Sequence, residues 1–223
     1  MNTAIICCKT IYAELELAMA ESGCSHPVIL IESGLHNYPG KLRARLHEAL
    51  DKAAAYDRVL LAFGTCGNSV AGLTTGGFEL ILPLADDCIT LLLGSLDVKR
   101  QYERTYFLTK GWLDGEHNIW REYQYAVNKY GEETGRSIYS TVLSNYRNLG
   151  VLDTGAYDIA GIRGQTEEIA AELGLEHKIL PATTRYLRKL ITGPWPEDEF
   201  LIIPPGSEIS AGQLVSQRFM PTA

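Results

Sequence analysis

The stretch RVLLAFGTCGNSVAGLTTGGFELILPLADDCITLLLGSL, from Arg58 to Leu96, decides the fold of this chain. It opens with an apolar run from Arg58 to Phe63, breaks at Gly64, resumes from Phe78 to Pro83, and passes through Asp86, Asp87 and Cys88 into a helix ending near Gly94 and Ser95. Short apolar runs without polar alternation belong to strands covered on both faces. Gly64, Gly67, Gly72, Gly76, Gly77 and Pro83 cut the stretch into pieces well short of the ~20 residues of a membrane-spanning helix. It therefore predicts buried sheet whose loops each carry a cysteine.

The same rhythm extends in both directions. Strands are predicted at Thr3 to Cys7, Val28 to Ile31, Thr105 to Leu108, Tyr157 to Ile162, Lys178 to Leu180 and Phe200 to Ile203. Between the early strands, Ile11, Leu15, Ala18 and Met19 mark one helix face, and Leu42, Leu46, Leu50 and Ala53 another. The alternation predicts an α/β fold of mainly parallel sheets flanked by helices, in Rossmann-like halves with a helical middle insertion. The expected partition is residues 1–113, an α/β half carrying the cysteines; 114–150, two helices interrupted near Gly131; and 151–223, a second α/β half packed on the first. In the last part Gly174 ends a helix, Pro194 and Pro196 forbid another before the final strand, and the tail after Gly206 is expected to be irregular.

Composition narrows the function classes. The 223 residues carry a formal charge of −7, the wrong sign for a protein that lives on phosphate backbones, so nucleic acid is not an expected partner. The opening MNTAIICCKTIYAELE has no basic leader and meets Lys9 and Glu14 early, so a cytoplasmic chain with no membrane segment is expected. Five cysteines in such a chain point to metal or thiol chemistry rather than to a disulfide framework.

Three of the cysteines occupy strand-to-helix turns. Cys8 ends the first strand, Cys66 follows the strand ending at Phe63, and Cys88 follows the strand ending at Pro83. In a parallel sheet those turns share one edge, so topology alone brings Cys8, Cys66 and Cys88 together. Helix N-termini there also favour the thiolate, the form that binds metals and attacks substrates. Cys7 is read as core filler and Cys24 as a loop bystander. No Cys-x-x-Cys is present, so the compact zinc and ferredoxin signatures are missing, and spacing alone names no metal.

Around the cysteines, Gly67 and Asn68 form a small turn where backbone can approach a bound molecule, and Ser95 faces the same mouth. Asp86 and Asp87 are placed to cap a helix, bind a cation or handle protons. His36, beyond the Val28 to Ile31 strand, is a fourth ligand or an acid–base group, whereas His26, His47, His117 and His177 are expected to be inert. The run Tyr106 to Trp112 either stacks on a ligand or packs the core. Tyr12, Glu14 and Glu16 are either a shell around the site or a solvated helix face. No phosphate loop, Gly-x-Gly-x-x-Gly, His-Glu-x-x-His or Gly-x-Ser-x-Gly occurs.

The segments CCKTIYAELE, GLHNYPGKLRARL, FGTCGNSVAGL, LADDCITLLLGS and TYFLTKGW, in this order, resemble an uncharacterised microbial family catalogued as domain of unknown function 1638, over about residues 3–155. Its landmarks fall on Cys8, His36 and Asn37, Cys66 to Asn68, Asp87 to Ile89 with Gly94 and Ser95, and Tyr106 to Trp112. Members often carry a histidine where this chain has Asp86. Members also often appear near corrinoid-dependent methyltransferase systems, which implies a link to methyl-group metabolism.

The resulting expectation is a metal centre held by Cys8, Cys66 and Cys88 with one open position, acting on a small polar substrate. A 4Fe-4S cluster would resemble the arrangement in quinolinate synthase; zinc is the variant closest to methyl transfer. Gly67, Asn68 and Ser95 would hold the bound molecule, and His36 and Asp87 would serve catalysis. Two alternatives stand beside it. Gly-Thr-Cys-Gly-Asn-Ser is loosely similar to a turn of aspartate/glutamate racemases, which use paired thiols without a cofactor. A non-catalytic accessory protein handling metal or corrinoid for a methyltransferase is the other. Expected partners are a small-molecule substrate, corrinoid or methyltransferase proteins, and a second copy of the chain.

Overall fold

Two sheets, each with its own core, divide the strands of this computed structural model, which describes residues 1–66 and 69–216. In chain order the strands are β1 (Thr3–Cys8), β2 (Val28–Ile31), β3 (Arg58–Ala62), β4 (Glu79–Pro83), β5 (Thr105–Leu108), β6 (Asn148–Asp153), β7 (Glu176–Pro181) and β8 (Phe200–Ile203). The α-helices are α1 (Tyr12–Glu21), α2 (Pro39–Lys52), α3 (Cys88–Leu93), α4 (Leu96–Arg100), α5 (Lys110–Leu113), α6 (Ile119–Tyr130), α7 (Glu132–Val142), α8 (Ile159–Glu172), α9 (Arg185–Thr192) and α10 (Ala211–Ser216). Short 3-10 turns cover Lys9–Ile11 and Leu35–Asn37. Among the described residues no helix is long and apolar enough to cross a membrane.

The α/β class expected from the alternation is the class observed. The first sheet has the order β2-β1-β3-β4-β8, parallel except for β8, which runs antiparallel to β4. The second has the order β5-β6-β7 and is parallel throughout. Every residue of β1 is buried, as an apolar strand beneath helices must be. Leu42, Leu46, Ala49 and Leu50 of α2 face the first core, with the spacing that the sequence shows. Leu108, Leu149, Val151 and Ile169 anchor the second core.

Sheet membership departs from the expected partition. β5 leaves the N-terminal half and joins β6 and β7, while β8 returns from the C-terminal half to close the first sheet. The strand expected at Tyr157 to Ile162 is instead the entry to α8, where Asp158 caps the helix by accepting the Ala160 N–H at 3.0 Å. The strand of that unit is β6, which begins inside the segment read as helical. The tail after Gly206 is not wholly irregular, since α10 forms there.

The segment TYFLTKGW joins the two halves. Thr109 accepts the Trp112 N–H at 3.1 Å, capping α5, and donates its own hydroxyl to the Thr10 carbonyl at 2.8 Å. Gly111 is pressed so closely on the Cys8 turn that a Cβ there would lie 2.6 Å from the Thr10 carbonyl oxygen. The strand-to-helix turn of the second sheet is thereby docked against that of β1, next to the thiols.

Candidate functional site

Because β1, β3 and β4 are parallel neighbours, their carboxyl ends open on one edge, and each delivers a cysteine there. Cys8 is the last residue of β1, and Cys88 the first of α3. Cys66 sits in the loop after β3 with φ +42°, in the left-handed region that a side chain rarely adopts. Two backbone bonds tie that loop to the one after β4, Thr65 N–H to Ala85 at 2.8 Å and Cys66 N–H to Asp86 at 2.9 Å. The Ser69 hydroxyl adds a bond to the Cys66 carbonyl at 2.7 Å.

The three thiols stand in a row on one wall of a cleft, with Cys88 interacting with both Cys8 and Cys66. Cys8 and Cys88 are buried, and Cys66 is half-buried at the open end. The bond to Cys88, then burial, pushes the Cys8 thiol well above its ordinary range, against the Thr10 hydroxyl and N–H that favour its thiolate. Cys88 is pushed up by its bond to Cys66 and by burial, with Cys8 and the Gly64 N–H opposing. Cys7, wholly buried, donates to the Cys8 carbonyl at 3.2 Å, as core filler does. Among the described residues no group of three or more His, Cys, Asp or Glu side chains is placed to hold a metal ion.

A cleft of about 670 Å³ opens beside the row, and Cys8, Cys66, Cys88, His36, Asp86 and Asp87 all line it. Asp87 caps α3, accepting the Thr90 N–H and hydroxyl at 2.8 Å each, and pairs with Lys99. Burial alone would raise its carboxyl, but Lys99 and Thr90 outweigh it and hold the group below the usual carboxylate range. Asp87 is thus a fixed anion that positions Cys88. His36 stands at the rim, accessible to solvent yet flanked by the walls; burial lowers its imidazole, against Asp87 and Glu122, which raise it. Ser95 caps α4 through the Val98 N–H at 3.1 Å and is not among the lining residues. Gly67 and Asn68 lie outside the described residues.

Several lining residues escaped the sequence reading: Thr10 beneath Cys8, Lys99 beside Asp87, and the rings of Phe63, Tyr102 and Tyr146, whereas Phe107 belongs to the run Tyr106 to Trp112 already read as a ligand or core surface. They come from turns, loops and the short helix α4, with no motif of their own. A second cleft of about 800 Å³ adjoins the first, sharing Glu32 and Leu35, and contains no cysteine.

Neither a curated protein nor a solved structure matches the chain. A family model described as "Protein of unknown function (DUF1638)" matches residues 30–191, from within β2 to within α9. The match takes in His36, Cys66, Asp87 and Cys88 and begins after Cys8. It spans well over half of the sequence, and the chain belongs to the DUF1638 family.

Proposed function

We propose that the chain is a metal-dependent enzyme in which Cys8, Cys66 and Cys88 hold a 4Fe-4S cluster or a zinc ion, leaving one position open to a small molecule in the cleft. The observation that carries this reading is that three thiols, delivered by three parallel strands, line one cleft. The residue types suit it, since three thiols can give up their protons to one metal centre, although the described side chains would have to rearrange to hold one. No preformed cage is needed for that, because ligands protonated in the free protein rearrange as they lose their protons. The bound metal would supply a Lewis acid to polarise the substrate.

The surrounding residues have definite work in this scheme. The backbone of Gly64 and Thr10 lies against the sulfurs and would moderate their charge. Asp87, held ionised by Lys99, fixes the start of α3 and with it Cys88. His36, at the mouth, takes or gives a proton at the substrate. The five free cysteines support a reducing, cytoplasmic setting. The resemblance to a family found near corrinoid-dependent methyltransferases supports a role beside methyl-transfer proteins.

The paired-thiol alternative is less well supported. Proton transfer on two faces of one carbon needs the sulfurs on opposite sides of it, each about 3–3.5 Å away. Here all three thiols line one wall of the cleft, which gives no support to a pair facing each other across a substrate carbon.

The test is anaerobic purification followed by a visible spectrum and analysis for iron, acid-labile sulfide and zinc. Matched iron and sulfide, or about one zinc per chain, bears the proposal out. Protein that holds neither, even after anaerobic reconstitution, overturns it.

A further inference from the structure

We infer that the ligand of the thiol cleft is a neutral aromatic molecule of one or two rings carrying a hydroxyl-like group, not the strongly polar substrate expected from sequence. The inference concerns the same cleft as the proposed function and rests on that reading only for what happens to the ligand after it binds.

Six aromatic side chains, Phe63, Tyr102, Tyr106, Phe107, Trp112 and Tyr146, line the cleft together with the three cysteines. Several of them meet edge to face. Tyr106 lies 5.5 Å from Trp112 at 66° and 5.4 Å from Tyr146 at 76°, and Tyr102 lies 6.5 Å from Phe107 at 84°. Rings so arranged extend readily to one more, because an aromatic guest can repeat the same edge-to-face contact. At about 670 Å³ the space lies in the range that encloses a small organic molecule.

Charge is accounted for within the protein. Lys99 pairs with Asp87, Arg100 with Asp97 at 3.0 Å, and Glu32 with Arg45 at 2.7 Å. Among the described residues each lysine and arginine of the lining has an ion-pair partner, and the carboxylates Glu32, Asp86 and Asp87 are each engaged, so a permanent cation gains little beyond the ring faces.

One polar group does stand open. Tyr106 is half-buried, and its hydroxyl makes no hydrogen bond with any described residue. A ligand hydroxyl beside it can take the place of the water that a half-buried hydroxyl otherwise bonds. The aromatic wall is thus the ring-binding surface, and Tyr106 makes the polar contact.

The experiment titrates the full-length protein, as isolated, with three probes by calorimetry: p-cresol, benzoate and choline. Metal content is measured on the same samples. The expected result is saturable binding of p-cresol, with benzoate and choline at least ~10-fold weaker. Tyr106→Phe, which keeps the ring and its packing, should weaken p-cresol about 5-fold while leaving toluene unchanged. Equal or tighter binding of benzoate or choline, unchanged p-cresol affinity in Tyr106→Phe, or no binding of any probe overturns the inference. Metal-free protein that binds p-cresol through Tyr106 would refute the metal centre and leave this inference standing; metal-loaded protein that prefers choline would do the reverse.

Discussion

Gly64 and Asp87 meet backbone to backbone: a Cβ added to Gly64 would lie 2.3 Å from the Asp87 Cα. That contact, with the two backbone bonds beside it, locks the loop after β3 onto the loop after β4 and sets the distance between Cys66 and Cys88.

Gly64→Ala should therefore destabilise the protein by about 3 kcal/mol, because the clash is with main chain that has nowhere to go. Gly40→Ala, at a helical position with nothing within 4 Å, should instead be neutral or stabilising by up to about 1 kcal/mol. Urea denaturation of both variants decides between them.

Cys8→Ser, Cys66→Ser and Cys88→Ser should each abolish metal retention under anaerobic purification, while Cys24→Ser retains it. Equal metal in all four proteins would place the metal elsewhere.

Glu14 is wholly buried on α1. One carboxyl oxygen accepts the Thr154 hydroxyl at 3.3 Å, and the other has no partner. Burial raises its pKa from 4.5 to about 7, with the Thr154 bond opposing. Between those values the folded state binds more protons than the unfolded one, so stability is complete below pH 4.5 and falls as pH rises through 7. The full loss is about 3 kcal/mol. Glu14→Gln should remove this part of the slope, seen as a smaller change in urea midpoint between pH 5 and pH 8.

Asp87→Ala removes the cap of α3 and the partner of Lys99, and should cost about 1–2 kcal/mol. Because Lys99 keeps this carboxyl ionised, no limb of an activity profile near neutral pH should belong to it. A profile of the wild type whose acidic limb vanished in Asp87→Asn would contradict that.

The meeting of the thiols was legible because parallel topology alone dictates it: an apolar strand followed by a turn puts its cysteine at the shared edge whatever the helices do. β6 was hidden by Gly150, which reads as a breaker but sits there because a Cβ would lie 2.6 Å from both Leu180 and Thr105 on the neighbouring strands. Tyr157 to Ile162 has strand-like composition, yet Asp158 starts a helix whose buried residues are spaced along one face. Glu14 was open to reading as a solvated charge, since nothing local reveals that the loop after β6 covers it. The aromatic wall draws on both halves of the chain, so no single window of sequence contains it. Asp87 was legible as a helix cap, but its partner Lys99, on the next helix, was not.

The return of β8 to the first sheet has a consequence for synthesis. While the ribosome is still making the second half, β4 has a free edge, and the sheet that presents the thiols is one strand short. Only when Phe200–Ile203 has emerged can that edge be sealed, with Leu80 opposite Ile203 and Pro83 opposite Phe200. A nascent chain stalled before that point would present β4 as a template for its neighbours, so completion of the site and protection from aggregation arrive together.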